Sequence, residues 1–243
     1  MKEKTPRMLL RMLLLLLVCM LSALSVIGTP AGVTYTSYSN ATGTPAAATI
    51  RNESSGGGYI YTVDLNATQI DTRWKAYIGN VTGKLTLEDS NGYVIYDWTV
   101  SAATEGEVYA TRSSSTVNWT NISCAQNGQV NTEGTTLSQT STDDNLTVTF
   151  VNDTHSAFIV GVTVFATDAC GYTTNTYIGN VSQRNSFDEV LLFDGSRMVY
   201  TTVINDSTTG YNADTYDFQM LLPENGADGW DSSTAYYFYV ELS

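Results

Sequence analysis

Histidine occurs once in the 243 residues, at His155, and this scarcity removes most hydrolytic chemistry before any motif is sought. A Ser/Cys–His triad would have to use that one imidazole. No Gly-X-Ser-X-Gly, His-Glu-X-X-His or Cys-X-X-Cys pattern accompanies it, and haem attachment through Cys-X-X-Cys-His is excluded as well. Within Asn152-Asp153-Thr154-His155 the histidine reads as a solvated turn residue. Basic residues are also few, 11 Lys and Arg against 24 Asp and Glu, and the net charge of −13 repels nucleic acid and anionic lipid. The chain is nevertheless no disordered acidic tail, because only 14% of it is charged and 42% is apolar, enough to bury a core. No catalytic residue, metal ligand or cofactor is expected from these patterns.

Long apolar runs are missing except at the start. Lys2, Lys4, Arg7 and Arg11 precede an apolar run over residues 12–27, interrupted by Ser22 and Ser25, and Gly28 follows. A run of about 16 residues is short for a bilayer-crossing helix, and basic-then-apolar-then-small is the pattern of a secretory signal peptide. Residues 1–28 are read as that signal, cut after Gly28 with Val26 at the third position before the cut. The mature chain then has a charge balance of −16 and no stable membrane span.

Cysteine is nearly absent from the mature chain. Cys19 leaves with the signal, so Cys124 and Cys170 remain as the pair able to form an intramolecular disulfide in an exported protein. Acidic clusters at Asp143-Asp144, Asp188-Glu189 and Asp228-Gly229-Trp230-Asp231 offer loop oxygens suited to Ca²⁺, but none has EF-hand spacing, and they read as solvated loop charge.

Helical periodicity is hard to find after the signal. Period-two runs rich in Val, Ile, Tyr, Phe and Thr recur instead between Gly, Asn, Asp and Ser clusters, the pattern of an all-β sandwich or barrel. Candidate strands are residues 59–65, 73–78, 84–88, 93–100, 107–111, 146–151, 157–166, 190–193, 198–204, 216–222 and 235–242. They suit an antiparallel β-sandwich, one large or two small. Asn91-Gly92 and Asp194-Gly195 predict β-hairpins with tight primed turns. Residues 54–58, Ser-Ser-Gly-Gly-Gly, read as a linker that separates an extended segment, 29–53, from a body at 59–243. Tyr77-Ile78-Gly79-Asn80-Val81-Thr82 returns as Tyr177-Ile178-Gly179-Asn180-Val181-Ser182, which marks either two equivalent halves or a chance likeness. The aromatic content, with 16 Tyr and 4 Trp, fits β-propensity and core, and Trp74 and Trp98 are read as core.

What the sequence has in excess is the N-glycosylation acceptor Asn-X-Ser/Thr. It occurs at Asn40, Asn52, Asn66, Asn80, Asn118, Asn121, Asn145, Asn152, Asn180 and Asn205. Composition alone predicts about four, so the excess points to a coat of N-linked glycans on both halves of the chain.

Trp74-Lys75-Ala76-Tyr77-Ile78-Gly79-Asn80-Val81-Thr82-Gly83-Lys84-Leu85-Thr86-Leu87, then Tyr96-Asp97-Trp98 and Gly106-Glu107-Val108-Tyr109-Ala110-Thr111-Arg112, resembles a group of uncharacterised secreted archaeal cell-surface proteins. That resemblance implies an archaeal cell exterior and brings no activity. In architecture the chain is similar to archaeal bundling-pilus subunits of the TasA-like kind, secreted β-sandwich glycoproteins that polymerise by donating an N-terminal strand. The likeness implies a donor strand in residues 29–53, and folding back as an edge strand of the chain's own body stays open as the alternative. The expectation is a secreted, non-enzymatic structural subunit of an extracellular filament or surface layer. Its partners would be copies of itself or other surface glycoproteins. A glycan-binding or adhesive module and a secreted carboxylate-based glycoside hydrolase, which needs only two acidic residues, stay open as alternatives.

Overall fold

The computed structural model describes residues 31–32, 58–63, 65–69, 73–88, 94–100, 104–139, 144–151, 154–175, 177–178, 181–183, 186–225 and 234–242. The signal peptide and the linker, except for Gly58, lie outside the described residues, as does the 29–53 segment apart from Ala31 and Gly32. The strands begin with β1 (Ala31–Gly32), β2 (Gly58–Val63), β3 (Asn66–Gln69), β4 (Trp74–Gly79), β5 (Val81–Glu88), β6 (Val94–Val100), β7 (Gly106–Thr111) and β8 (Ser123–Cys124). After helices α1 (Asn127–Thr136) and α2 (Leu146–Thr149) come β9 (Phe158–Val160), β10 (Thr163–Phe165), β11 (Thr173–Asn175), β12 (Tyr177–Ile178) and β13 (Val181–Ser182). The last are β14 (Asp188–Phe193), β15 (Met198–Val203), β16 (Thr208–Thr209), β17 (Thr215–Tyr216), β18 (Phe218–Pro223) and β19 (Tyr237–Leu242). Every described strand pair is antiparallel and helices are few, so the fold is all-β. No helix among the described residues is long and apolar enough to cross a membrane.

The central sheet runs β1-β19-β7-β15-β14-β11, with β8 also paired to β14. Its middle strands do not alternate apolar and polar, because both faces are covered. Strand β7 is buried at every position, and β14 and β15 at all but their last. A strand covered on both sides reads as a near-continuous apolar run, which is how Val190-Leu191-Leu192-Phe193 and Met198-Val199-Tyr200 appear. Fully burying one such side chain stabilises the fold by about 1.5–3 kcal/mol.

One face packs Val108, Ala110, Leu191, Tyr200, Phe238 and Val240 against Phe218, Met220 and Leu222 of β18 and Trp74 of β4. Those strands belong to a three-stranded sheet, β18-β4-β3, and Val130 and Leu146 of the helices join the same core. The other face packs Tyr109, Val190, Leu192 and Val199 against Trp119, Ile122, Phe158, Val160, Phe165 and Cys170. Trp74 is core as read, its Nε1 donating to the Asp144 carbonyl at 2.9 Å. Trp98 sits in β6, where its side chain is outside the described residues.

Several local expectations need correction. Residues 146–151 are not a strand: Asn145 accepts a hydrogen bond from Val148 N at 3.0 Å, and this N-cap starts a helical turn instead. Residues 157–166 are a hairpin rather than one strand, since Gly161, at φ +57°, reverses the chain between β9 and β10. Helix α1, with two glycines and three threonines, carries little helical signal. Its one sequence mark is the reciprocal cap between Gln126 and Gln129. The Asp194-Gly195 hairpin exists, but the turn is centred one residue later, on Gly195-Ser196, with Asp194 N donating to the Arg197 carbonyl at 3.2 Å. Strands β5 and β6 do form the other hairpin, whose Asn91-Gly92 turn is outside the described residues. The repeated hexapeptide takes two different paths. Tyr77 to Thr82 passes from β4 into β5 and so between sheets, whereas in the second copy β12 pairs with β13 as a hairpin. The two stretches are not equivalent halves.

Candidate functional site

Of the glycosylation acceptors, Asn80, Asn118 and Asn121 are exposed, and Asn145 and Asn205 are half-buried. Asn66 lies in β3, its side chain outside the described residues together with Asn40, Asn52, Asn152 and Asn180. Asn118 and Asn121 share the short 3₁₀ turn Trp119–Asn121, and Asn121 Nδ2 donates to the Asp194 carbonyl at 3.3 Å. Asn145 caps α2, and Asn205 Nδ2 donates to the Ser186 carbonyl at 3.2 Å. Cys124 and Cys170 are bonded, with Cα atoms 5.3 Å apart, across a separation of 46 residues.

His155 is buried, not a solvated turn residue. Cys170 N donates to its Nε2 at 3.0 Å, so the ring proton sits on Nδ1 and is given to the Ser156 carbonyl at 2.6 Å. Both nitrogens are spent on holding the disulfide loop. Asp188 and Glu189 are likewise buried rather than solvated. Asp188 accepts from Ser156 N and Oγ, each at 2.7 Å, and Glu189 accepts from Leu221 N at 2.7 Å. Asp144 pairs with Arg73 at 2.6 Å, while Asp143, Asp228 and Asp231 are outside the described residues. No group of three metal-ligating side chains occurs among the described residues.

Sequence reasoning missed two sites because each joins residues remote in the chain. The first is a buried acid pair. Strands β7 and β19 place Glu107 opposite Glu241, at 2% and 6% exposure, with the Tyr109 hydroxyl 2.9 Å from Glu241 and 3.5 Å from Glu107. The β9–β10 hairpin caps the pair: Ile159 N donates to Glu107 at 3.2 Å, and Gly161 N to both Glu241 oxygens at 3.0 Å. Among the described residues no cation pairs with either carboxyl. Burial therefore dominates, pushing Glu107 up to about 8 and raising Glu241 too; the charge of Glu241 adds to the rise at Glu107. A phenol has one proton to give, and the shorter contact assigns it to Glu241. At neutral pH the 3.5 Å approach is served by the proton that Glu107 retains. The pair holds the hairpin down on the sheet, and in this closed arrangement neither carboxyl is open to a substrate.

The second site is a groove of about 500 Å³ between α1 and the ends of β7, β14 and β15. Arg112 forks both oxygens of Glu133, from Nε and Nη2 at 2.7 Å each, and Tyr200 donates to the same carboxylate at 3.1 Å. That carboxylate holds the guanidinium still further above its ordinary range. Across the groove, Arg197 Nη1 donates to Ser113 Oγ at 2.8 Å and to the Ser115 carbonyl at 3.0 Å, and its Nε lies 3.3 Å from Asp194. Asp194 is itself buried and accepts from Asn118 N, Ser196 N and Arg197 N. No family model, curated protein or solved structure matches the chain.

Proposed function

We propose that the chain is a non-enzymatic structural subunit of an extracellular assembly, a filament or surface layer, exported behind a cleaved signal peptide and N-glycosylated. The observation that carries this reading is the edge of the central sheet. Strand β19 has six residues, and among the described residues its outer side is paired at Val240 and Tyr239, by Ala31 and Gly32. The rest of that side has no strand partner among the described residues, and an open edge is a template for another strand. Ala31 and Gly32 belong to the segment read as a donor. Here they serve their own sheet; given to a neighbour, the same pairing makes a head-to-tail contact that propagates.

The supporting features are consistent in kind. A disulfide suits an oxidising exterior, and three acceptor asparagines stand exposed. The stacking of the β18-β4-β3 sheet on the central sheet is compatible with the β-sandwich body of TasA-like bundling-pilus subunits, and the sequence resemblance supports an archaeal surface. Deleting residues 29–51 from the mature protein is the test. The truncated chain should fold as a monomer, fail to assemble under electron microscopy, and bind the free peptide. Native polymers from the truncated chain would sink strand donation.

A further inference from the structure

The groove beside α1 has unspent hydrogen-bonding capacity of one kind. Its carboxylates are used, Glu133 by Arg112 and Tyr200, and Asp194 by three main-chain N–H groups and Arg197. Gln129 Oε1 is used by Gln126 N at 2.7 Å. The hydroxyl protons of Thr132 and Thr136 go to main-chain carbonyls one helical turn back. Of the side-chain nitrogens that line the groove, Arg112 Nη1, Gln129 Nε2 and Arg197 Nη2 have no protein acceptor among the described residues. Donors without protein acceptors can exchange water for the acceptors of a ligand. Two guanidiniums, each held in place by fixed partners, call for a carboxylate among them.

The surroundings narrow the class. A chain of net charge −13 repels a long, densely charged polyanion at a distance, so the ligand is a short one. The half-buried ring of Phe193 lies in the same groove and offers an apolar face to the C–H side of a sugar ring. The oxygens of Thr132 and Thr136 can still accept from sugar hydroxyls. A volume of about 500 Å³ takes a short oligosaccharide, not a folded partner.

We propose that this groove binds an acidic saccharide, a uronate-bearing oligosaccharide whose carboxylate sits between Arg112 and Arg197. Such a site gives the subunit a second hold on a carbohydrate-coated surface, by a mode that does not depend on strand donation. The saccharide could come from the protein's own coat, since Asn121 adjoins the Asp194–Arg197 turn that forms one wall, or from a neighbouring polymer.

The experiment uses mature protein made without glycans, ¹⁵N-labelled and titrated with trigalacturonate, maltotriose or triglutamate. Trigalacturonate should shift the amide resonances of Gln129, Thr132 and Arg197, and maltotriose should bind at least about tenfold more weakly for want of the carboxylate. Arg197→Ala should weaken trigalacturonate binding at least about tenfold. Thr132→Ala, at an exposed position of α1 that takes no part in its cap, should weaken it about threefold and guards against misfolding in the first variant. If glycosylated protein loses trigalacturonate binding and Asn121→Gln restores it, the chain's own glycan is the occupant; undiminished binding assigns the groove to an outside polymer. The proposal is overturned if these resonances do not move, if maltotriose or triglutamate matches trigalacturonate, or if both variants bind as the parent does.

Discussion

The two ends of strand β7 treat buried charge in opposite ways. At its start Glu107 faces Glu241 across the strand pair, and the nearest polar groups are a phenol and two main-chain N–H groups. Just past its end Arg112 meets Glu133 in a two-pronged ion pair at 2.7 Å. Each end takes a glutamate out of water, fully at the first and in part at the second, yet only the second supplies the opposite charge. Without a cation, a carboxyl group in a dry site keeps its proton. The start of β7 is therefore sensitive to pH, whereas the end depends on keeping both partners of a pair.

The strongest way to break the first end is through the backbone. Gly106 has φ +138°, and a Cβ there would fall 2.2 Å from the Glu241 carbonyl oxygen. Gly106→Ala should destabilise the protein by about 4 kcal/mol or more, since it adds an unfavourable φ to a main-chain clash that no side-chain rotation relieves. Urea unfolding of the variant would measure this. A loss below about 1 kcal/mol would mean that β7 and β19 are not packed as described here.

Ionisation is the next lever. Unfolded, Glu107 titrates near 4.5; folded, it titrates at about 8. The folded state holds the extra proton between those values, so stability is complete below 4.5, declines as pH rises, and has lost this contribution above about 8. Burial raises Glu189 and Glu241 in the same direction. The free energy of unfolding should therefore fall by about 2–4 kcal/mol from pH 5 to pH 9. Glu107→Gln should flatten much of that slope and raise stability at pH 9. An unchanged slope would show that Glu107 is not the group that titrates.

The smallest effect belongs to the paired end. Glu133→Gln leaves Arg112 half-buried without its counter-charge and should cost about 1–2 kcal/mol. Adding Arg112→Met should recover part of that loss. If the double variant is no better than the single one, the pair is not coupled as its geometry requires.

The β-rich class was legible because burial on the central strands leaves Val, Leu and Tyr in runs that hardly anything else produces. Strands β14, β15 and β7 were found within two residues of their ends. Leu146–Thr149 was misread as a strand because Leu-Thr-Val-Thr has β-forming composition, while one cap from Asn145 decides its conformation. Helix α1 was missed because its residues are poor helix formers and its support comes from packing Val130 and Leu137 on the central sheet. His155 was misread because its partners, Cys170 N and Asp168, lie 15 and 13 residues away.

Some properties of this protein follow from the sequence alone: the sign and size of its charge, the absence of histidine-based motifs, the thiol pair, the acceptor asparagines and the all-β class. Each depends on composition or on neighbours along the chain. The acid pair and the groove depend on something else. Glu107 and Glu241 are 134 positions apart, and Arg112 and Arg197 are 85 apart. What brings them together is the register of β7 with β19 and with β15, and pairing between distant strands is chosen by how whole faces bury against each other. The same burial decides which of the 24 acidic side chains keep a proton and which find an arginine.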